Sequence, residues 1–341
     1  MKKISLFLVL IILTGFGFAA KVGSFPELIN PERILVDGGK IFITEGIHVF
    51  IYSLKDLKLV KKVGKEGEGP QEFKRFPWPW LPSLRVFLQP DRIFVNSMSK
   101  VSFFTREGKF IKERKKQNVW HVFMPFEDKY IVFALTLEKR VSYITYSLYD
   151  SDFNKEKEVF REVNPDQEGK KMDPILMSLI KQVFFRFGDG GKFFFPGFDN
   201  KIHIFDKTGN DVGTIDIPCS KVPVTSELKN KFIDYFKRDI RYKQVFEFEK
   251  NRMKYPNHLP LLKDYRVGDG KVYVIGNKKE NEKYETFIYD LDGKLLKKVW
   301  LPLVDKDILE LYPFTIAGGK LYQLIENEDE EEWELHVTEI K

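Results

Sequence analysis

Apolar residues along this chain fall into short runs, alternating or continuous, cut by Gly- and Asp-containing turns, a pattern that predicts strands rather than long helices. One unit recurs six times: a turn ending in a basic residue, an apolar strand, a short gap, a second alternating strand and, in most copies, a Gly/Asp turn with a third strand. The first copy reads Gly39-Lys40-Ile41-Phe42-Ile43-Thr44, His48-Val49-Phe50-Ile51-Tyr52 and Leu59-Val60-Lys61-Lys62-Val63. The second runs from Asp91-Arg92-Ile93-Phe94-Val95 through Lys100-Val101-Ser102-Phe103-Phe104 to Phe110-Ile111, and the third from Asp128-Lys129-Tyr130 to Asp150. The fourth joins Gly191-Lys192-Phe193-Phe194-Phe195 to Lys201-Ile202-His203-Ile204-Phe205. The fifth joins Gly270-Lys271-Val272-Tyr273-Val274 to Thr286-Phe287-Ile288-Tyr289, and the last joins Gly319-Lys320-Leu321-Tyr322-Gln323 to Glu334-Leu335-His336-Val337.

Anchored on Lys40, Arg92, Lys129, Lys192, Lys271 and Lys320, the copies are spaced by 52, 37, 63, 79 and 49 residues. With Ser220 to Pro256 set aside as an insertion, the average is about 48 residues, the length of a propeller blade. A short apolar segment before each anchor supplies a fourth, innermost strand: Ile34-Leu35-Val36, Val86-Phe87-Leu88, Val122-Phe123, Val183-Phe184-Phe185, Tyr265 to Val267, and Phe314-Thr315-Ile316. The predicted fold is all-β, a six-bladed β-propeller of four-stranded antiparallel blades. The sixth copy stops after its third strand, which predicts that the extended segment Lys21 to Leu28 pairs with it and closes the ring. Between blades 4 and 5, Pro223 and Thr225/Ser226 precede Leu228, Phe232, Tyr235, Phe236 and Ile240 at helical spacing. They predict a helical insertion over about 224–256 whose apolar stripe packs on the propeller.

The loop leaving the first copy, Val63-Gly64-Lys65-Glu66-Gly67-Glu68-Gly69-Pro70-Gln71-Glu72-Phe73 followed by Pro77, resembles the glycine-rich signature of NHL-type repeats. The strand pairs opening at Lys100-Val101 and Lys201-Ile202, with the Gly-Lys turns, resemble it too. The chain is similar to an exported bacterial six-bladed propeller of that group over its whole mature length. Two departures stand out: one blade alone keeps the glycine loop, and Lys replaces the usual Arg of the repeat. The resemblance implies a fold and transfers no catalytic residue, because such propellers include binding proteins, scaffolds and a few enzymes.

The N-terminus changes the expected location. Lys2-Lys3 is followed by an uncharged run from Ile4 to Ala20, the pattern of a secretory signal, with Gly17 and Ala19 suited to cleavage near Ala19. Residues 1–19 are therefore read as a signal peptide and 20–341 as one propeller domain, periplasmic or extracellular; the alternative is an uncleaved N-terminal anchor. Phe16 stands where a lipoprotein would carry its modified Cys, so no lipid anchor is expected. The lone Cys219 excludes a disulfide framework within the chain. Removing Lys2 and Lys3 lowers the formal +6 to +4, while Lys221 to Lys254 alone holds ten basic against five acidic residues. Glu326 to Glu334, by contrast, packs seven carboxylates into nine positions. The insertion is thus a local basic surface, fitted to an anionic envelope surface or to that acidic hairpin, and nucleic acid is not expected as a partner of an exported protein.

Catalytic signatures are sparse. There is no Gly-x-Ser-x-Gly and no complete phosphate loop, and the five histidines never recur at helical ligand spacing. A calcium-dependent channel needs several oxygen ligands, and the obvious inner candidates are Asp264, Gln182 and Asn118. No cofactor or metal site is assigned. The inner segments and the turns before them offer instead Arg33, Arg85, His121, Arg186 and Arg266, a funnel for an anionic ligand if they converge and separate surface residues if they do not. Arg33 and Arg85 share one offset, seven residues before their anchors; the others do not align. Trp78 and Trp80, in Pro77-Trp78-Pro79-Trp80-Leu81-Pro82, suit stacking on a sugar or peptide, or else pack between blades. The leading expectation is a monomeric, non-enzymatic binding or scaffolding propeller that recognises a peptide, protein or glycan on a loop face. The alternative is a metal-assisted hydrolase or lyase acting in the channel.

Overall fold

The computed structural model describes residues 20–76, 82–165, 167, 171, 173–175 and 188–341. Six four-stranded antiparallel sheets follow one another around a ring. Counted from the first complete sheet, the blades begin at Arg33–Asp37, Arg85–Leu88, Val122–Phe126, Gly188–Asp189, Leu262–Gly268 and Phe314–Ala317, the innermost strand of each. Each of the six sequence anchors is the first residue of its blade's second strand. The inner strand predicted at Val183-Phe184-Phe185 lies outside the described residues, where the sheet's inner edge is Gly188–Asp189.

The continuous apolar runs of the second strands have a physical cause. A strand sends alternate side chains to opposite faces, and in a ring of sheets both faces are covered by neighbouring blades. Phe193 and Phe195 therefore join Val122, Ile131 and Tyr146 between blades 3 and 4, while Phe194 joins Tyr265, Val272 and Val274 between blades 4 and 5. Likewise Ile41 and Ile43 pack with Leu324 and Trp333 of the last blade, and Phe42 packs with Val86, Ile93 and Val95 of the second. Two further clusters fill the interfaces of blades 2 with 3 and 5 with 6, so every neighbouring pair shares a core.

The outermost strands carry charged, mostly exposed residues, as in Lys112-Glu113-Arg114-Lys115, which suits a sheet edge facing water. Where they pair with the third strands, all six blades show a register shift, for example between Phe103 and Phe104 and between Ile288 and Tyr289. The preceding turns are closed by a carboxylate or hydroxyl: Asp206 Oδ1 accepts the Thr208 and Asn210 amides at 2.8 and 2.9 Å, and Asp290 Oδ1 those of Asp292 and Lys294. Gly209 has φ +73°, and a Cβ there would sit 2.3 Å from Val159 of the neighbouring blade, so only glycine fits.

Ring closure follows the expected route. Ala20–Phe25 pairs antiparallel with Glu332–Glu339, and Phe25 is buried against Tyr52 of the first blade at 4.6 Å between ring centres. Lys21 donates to Glu334 at 2.6 Å, and Trp333 Nε1 to the Ile29 carbonyl at 3.1 Å.

The insertion lies between the blade ending at Asp216 and the blade beginning at Leu262, the fourth and fifth when the N-terminally closed sheet is counted last. It contains two helices, α1 (Ser226–Arg238), capped by Thr225 Oγ1 on the Leu228 amide, and α2 (Lys243–Glu249). Phe232, Phe236, Tyr242 and Phe246 bury against Ile175 and Leu309. Ile240, expected in the packed stripe, corrects that reading: α1 ends at Arg238, and Ile240 is 88% exposed in the turn beyond it.

Candidate functional site

The inner strands surround one cavity of about 1190 Å³ on the ring axis, with all six blades in its wall. Strand direction gives it two unlike ends. Inner strands enter at the face carrying the long inter-blade loops and the helical insertion, and leave at a face of tight turns.

Carboxylates mark the turn end, namely Asp37, Glu127, Asp189 and Asp269. Three of them hold the fold. Asp189 Oδ2 accepts the Gly270 amide at 2.8 Å and Asp269 Oδ2 the Gly319 amide at 2.9 Å, each tying one blade to the next. Asp37 pairs with Arg106 of blade 2.

Cations mark the loop end. Arg33 and Arg85, the first residues of the inner strands of blades 1 and 2, lie on the cavity wall with Arg266 of blade 5, Arg241 of the insertion and Lys306. Arg85 is 8% exposed, and burial lowers its pKa to about 10 against the opposing pull of Glu32. Glu32 sits on the same wall, with the charges of Arg33, Arg85 and Glu45 and the Gly46 amide acting on it. Burial dominates these and pushes its carboxyl up to about 7. Its Oε2 is shielded from solvent and has no hydrogen-bond partner among the described residues, which favours the protonated acid.

Arg266 and Arg241 are each held by carboxylates. Arg266 Nη1 donates to Asp264 Oδ1 at 2.5 Å, Nη2 to the Phe314 carbonyl at 3.3 Å, and the guanidinium lies 3.7 Å from the centre of the Phe314 ring. Asp264 also accepts the Tyr265 amide at 2.7 Å, so the carboxylate considered as a metal ligand is engaged by the arginine beside it. Arg241 binds Asp239 at 2.8 Å, Asp307 at 3.0 Å and Glu310 at 3.0 Å, and also donates to the Tyr235 hydroxyl. Tyr242 donates to Glu310 at 3.2 Å and Tyr235 to Asp307 at 2.8 Å, which clamps the insertion onto the loop before blade 6.

The structure therefore brings Arg33, Arg85 and Arg266 to one wall and separates His121 from them. The His121 ring packs towards Phe123 and Tyr149, away from the cavity, and its carbonyl accepts from Lys116 Nζ at 2.7 Å. Burial, reinforced by the charge of Arg85, lowers the Lys116 pKa to about 7. Asn118 Oδ1 accepts the Trp120 amide at 2.9 Å in a loop turn. Trp78, Trp80, Gln182 and Arg186 lie outside the described residues. Among the described residues no three His, Cys, Asp or Glu side chains converge as a metal-ligand set.

Sequence reasoning missed Glu32, Arg241 and the acidic turn end. A signal for the last was present: Asp37 and Asp189 stand three residues before their anchors, and Glu127 and Asp269 two. Arg241 gave none, because its place depends on how the insertion folds back. The loop resembling NHL repeats is a built inter-blade connection: Lys65–Glu66 pairs with Glu72–Phe73, and buried Lys100 donates to the Gly69 carbonyl at 2.6 Å.

No family profile matches the chain, and no curated protein matches it in sequence. Among solved structures it is similar to a luciferin-regenerating enzyme, at 9% identity and TM-score 0.44 over 95% of each chain. It is also similar to the β-propeller domain of the Trilobed protease from Pyrococcus furiosus, at 12% identity and TM-score 0.42 over 92% of this chain and 82% of that one. The Pan2 WD40 domain of Neurospora crassa aligns at 8% identity and TM-score 0.47 over 93% of each.

Proposed function

We propose that this propeller is an exported, non-enzymatic binding protein that takes an anionic ligand, a carboxylated peptide or an acidic sugar, into the loop end of its axial channel. The observation that carries the reading is that Arg33 and Arg85, from two blades, stand on the wall of one large cavity, while Arg266 and Arg241 on the same wall are held by their own carboxylates. A planar guanidinium binds a carboxylate through two parallel hydrogen bonds, and burial strengthens the attraction. Glu32 fits the same reading, because protonation near neutral pH removes the negative charge that would repel such a ligand. Export rests on the basic and apolar pattern of residues 2–20.

The test is calorimetric titration of the protein with trigalacturonate against neutral trigalactose, and with a short peptide bearing a free C-terminal carboxylate against its amide. One acidic member should bind and its neutral twin should not, with Arg85→Met weakening binding about ten- to hundredfold, the worth of a charge-assisted hydrogen bond. Indifference to ligand charge, or unchanged affinity in Arg85→Met and Arg33→Met, would overturn the reading.

A further inference from the structure

We infer that the helical insertion is a second binding surface, a dock for an anionic phospholipid bilayer, independent of the channel ligand. Ile240 and Phe248, 88% and 87% exposed, are the most exposed large apolar side chains among the described residues. Both lie in the insertion, whose packed side is formed by buried Phe232, Phe236, Tyr242 and Phe246 with half-buried Tyr235 and Tyr255 against them. Nothing in the fold requires two large apolar groups to stand in water there. Such a pair rimmed by polar residues marks an interaction surface.

The surrounding charge selects the partner. Lys237 and Arg238 precede Ile240 and Lys243 follows it, and all three are exposed. Lys250, with Lys237 and Lys243 farther off, holds the carboxyl of Glu247, the neighbour of Phe248, below the usual carboxylate range. Lys250 Nζ donates to Glu247 Oε2 at 2.7 Å beside Phe248, and the exposed Lys237, Arg238, Ile240, Lys243, Phe248 and Lys250 all fall within the short stretch 237–250 of the insertion. Segment 221–254 as a whole has an excess of five positive charges. Apolar side chains that enter the acyl boundary, ringed by lysines at headgroup level, are the composition of an interfacial helix on an anionic membrane. A protein partner would need an apolar pocket and acidic rim together, whereas an anionic bilayer supplies both at any point of its surface. Arg241, next to Ile240, is on the cavity wall, so docking would set the channel mouth beside the headgroups.

The experiment uses the full chain and a local fluorophore. Cys219 is buried and its thiol is pushed up to about 12 by burial, so a cysteine placed at Phe248 or Ile240 takes an NBD label selectively. The probe reports only its own surroundings, so lipid held by residues 4–20 does not register. With vesicles of phosphatidylglycerol and phosphatidylcholine, NBD at both positions should shift to the blue and brighten. It should not respond to phosphatidylcholine alone, nor should NBD at exposed Lys109 respond to either. Lys237→Gln/Lys243→Gln should raise the half-saturating lipid concentration about 25-fold, roughly fivefold per charge removed, and 1 M salt should abolish the response. Water-like emission from both probes with anionic vesicles would overturn the proposal, as would an equal response to neutral ones. A blue shift that grows with protein concentration without lipid would overturn it too, by assigning the patch to a second copy of this chain.

Discussion

Replacing Glu32 by Gln tests the electrostatics of the cavity wall most directly. From an ordinary carboxyl value of 4.5, burial lifts the folded side chain to about 7 against the opposing pull of Gly46, Arg33 and Arg85, with Glu45 adding to the rise. The folded state therefore prefers the acid, and ionised Glu32 destabilises it. Below about pH 4.5 both folded and unfolded chains carry the proton and Glu32 contributes nothing. Between about pH 4.5 and 7 the unfolded chain releases its proton first and the cost grows; above about pH 7 it is constant. At about 1.4 kcal/mol per pH unit the full cost is about 3 kcal/mol. Gln mimics the acid, so Glu32→Gln is expected to match the wild type at pH 4.5 and to exceed it by about 3 kcal/mol at pH 8.5. For a chain of this length the unfolding entropy is about 0.7 kcal/mol/K, which makes the gain about 4–5 °C in Tm. Glu162, also pushed up by burial, is the same in both proteins and cancels in the comparison. Paired thermal scans across this pH range decide the matter. A difference that does not vary with pH, or a variant less stable at pH 8.5, would refute the placement of Glu32 in a desolvated wall.

Three further outcomes are expected. Arg241→Ala leaves Asp239, Asp307 and Glu310 without their shared partner and should cost about 3 kcal/mol locally. Amide exchange should accelerate at least tenfold in α1 and α2 while the blade cores stay protected; uniform acceleration would show that the insertion is not a separable unit. Asp269→Ala removes the acceptor of the Gly319 amide and should lower urea stability by about 1–2 kcal/mol, and unchanged stability would mean that water replaces the bond at no cost. Deleting Ala20–Phe25 uncovers the edge of Glu332–Glu339 and empties the site of buried Phe25. A lower Tm and concentration-dependent association in sedimentation should follow, and a monomer of unchanged Tm would remove the strand from the account of ring closure.

The architecture was readable along the chain because the repeat is written in local terms. A strand buried on both faces must be apolar at successive positions, as in Ile41-Phe42-Ile43 and Phe193-Phe194-Phe195, and a positive-φ turn pressed against the next blade must hold glycine, as at Gly209. Both demands show within a few residues, so six strands could be anchored at their first residue. The unpaired edge left after Glu332–Glu339 likewise called for the N-terminal strand. The site was legible only in part. Arg33 and Arg85 were visible through their common offset, since equivalent places in a repeat face equivalent surroundings. Which charges meet across the ring, and which are already spent, was settled by tertiary structure alone: Arg266 on Asp264 and Phe314, Arg241 on three carboxylates brought from two loops, His121 turned into an aromatic cluster, Glu32 buried beside two arginines. Charge pairing and desolvation depend on distances between residues far apart in the chain, and no local pattern encodes those distances.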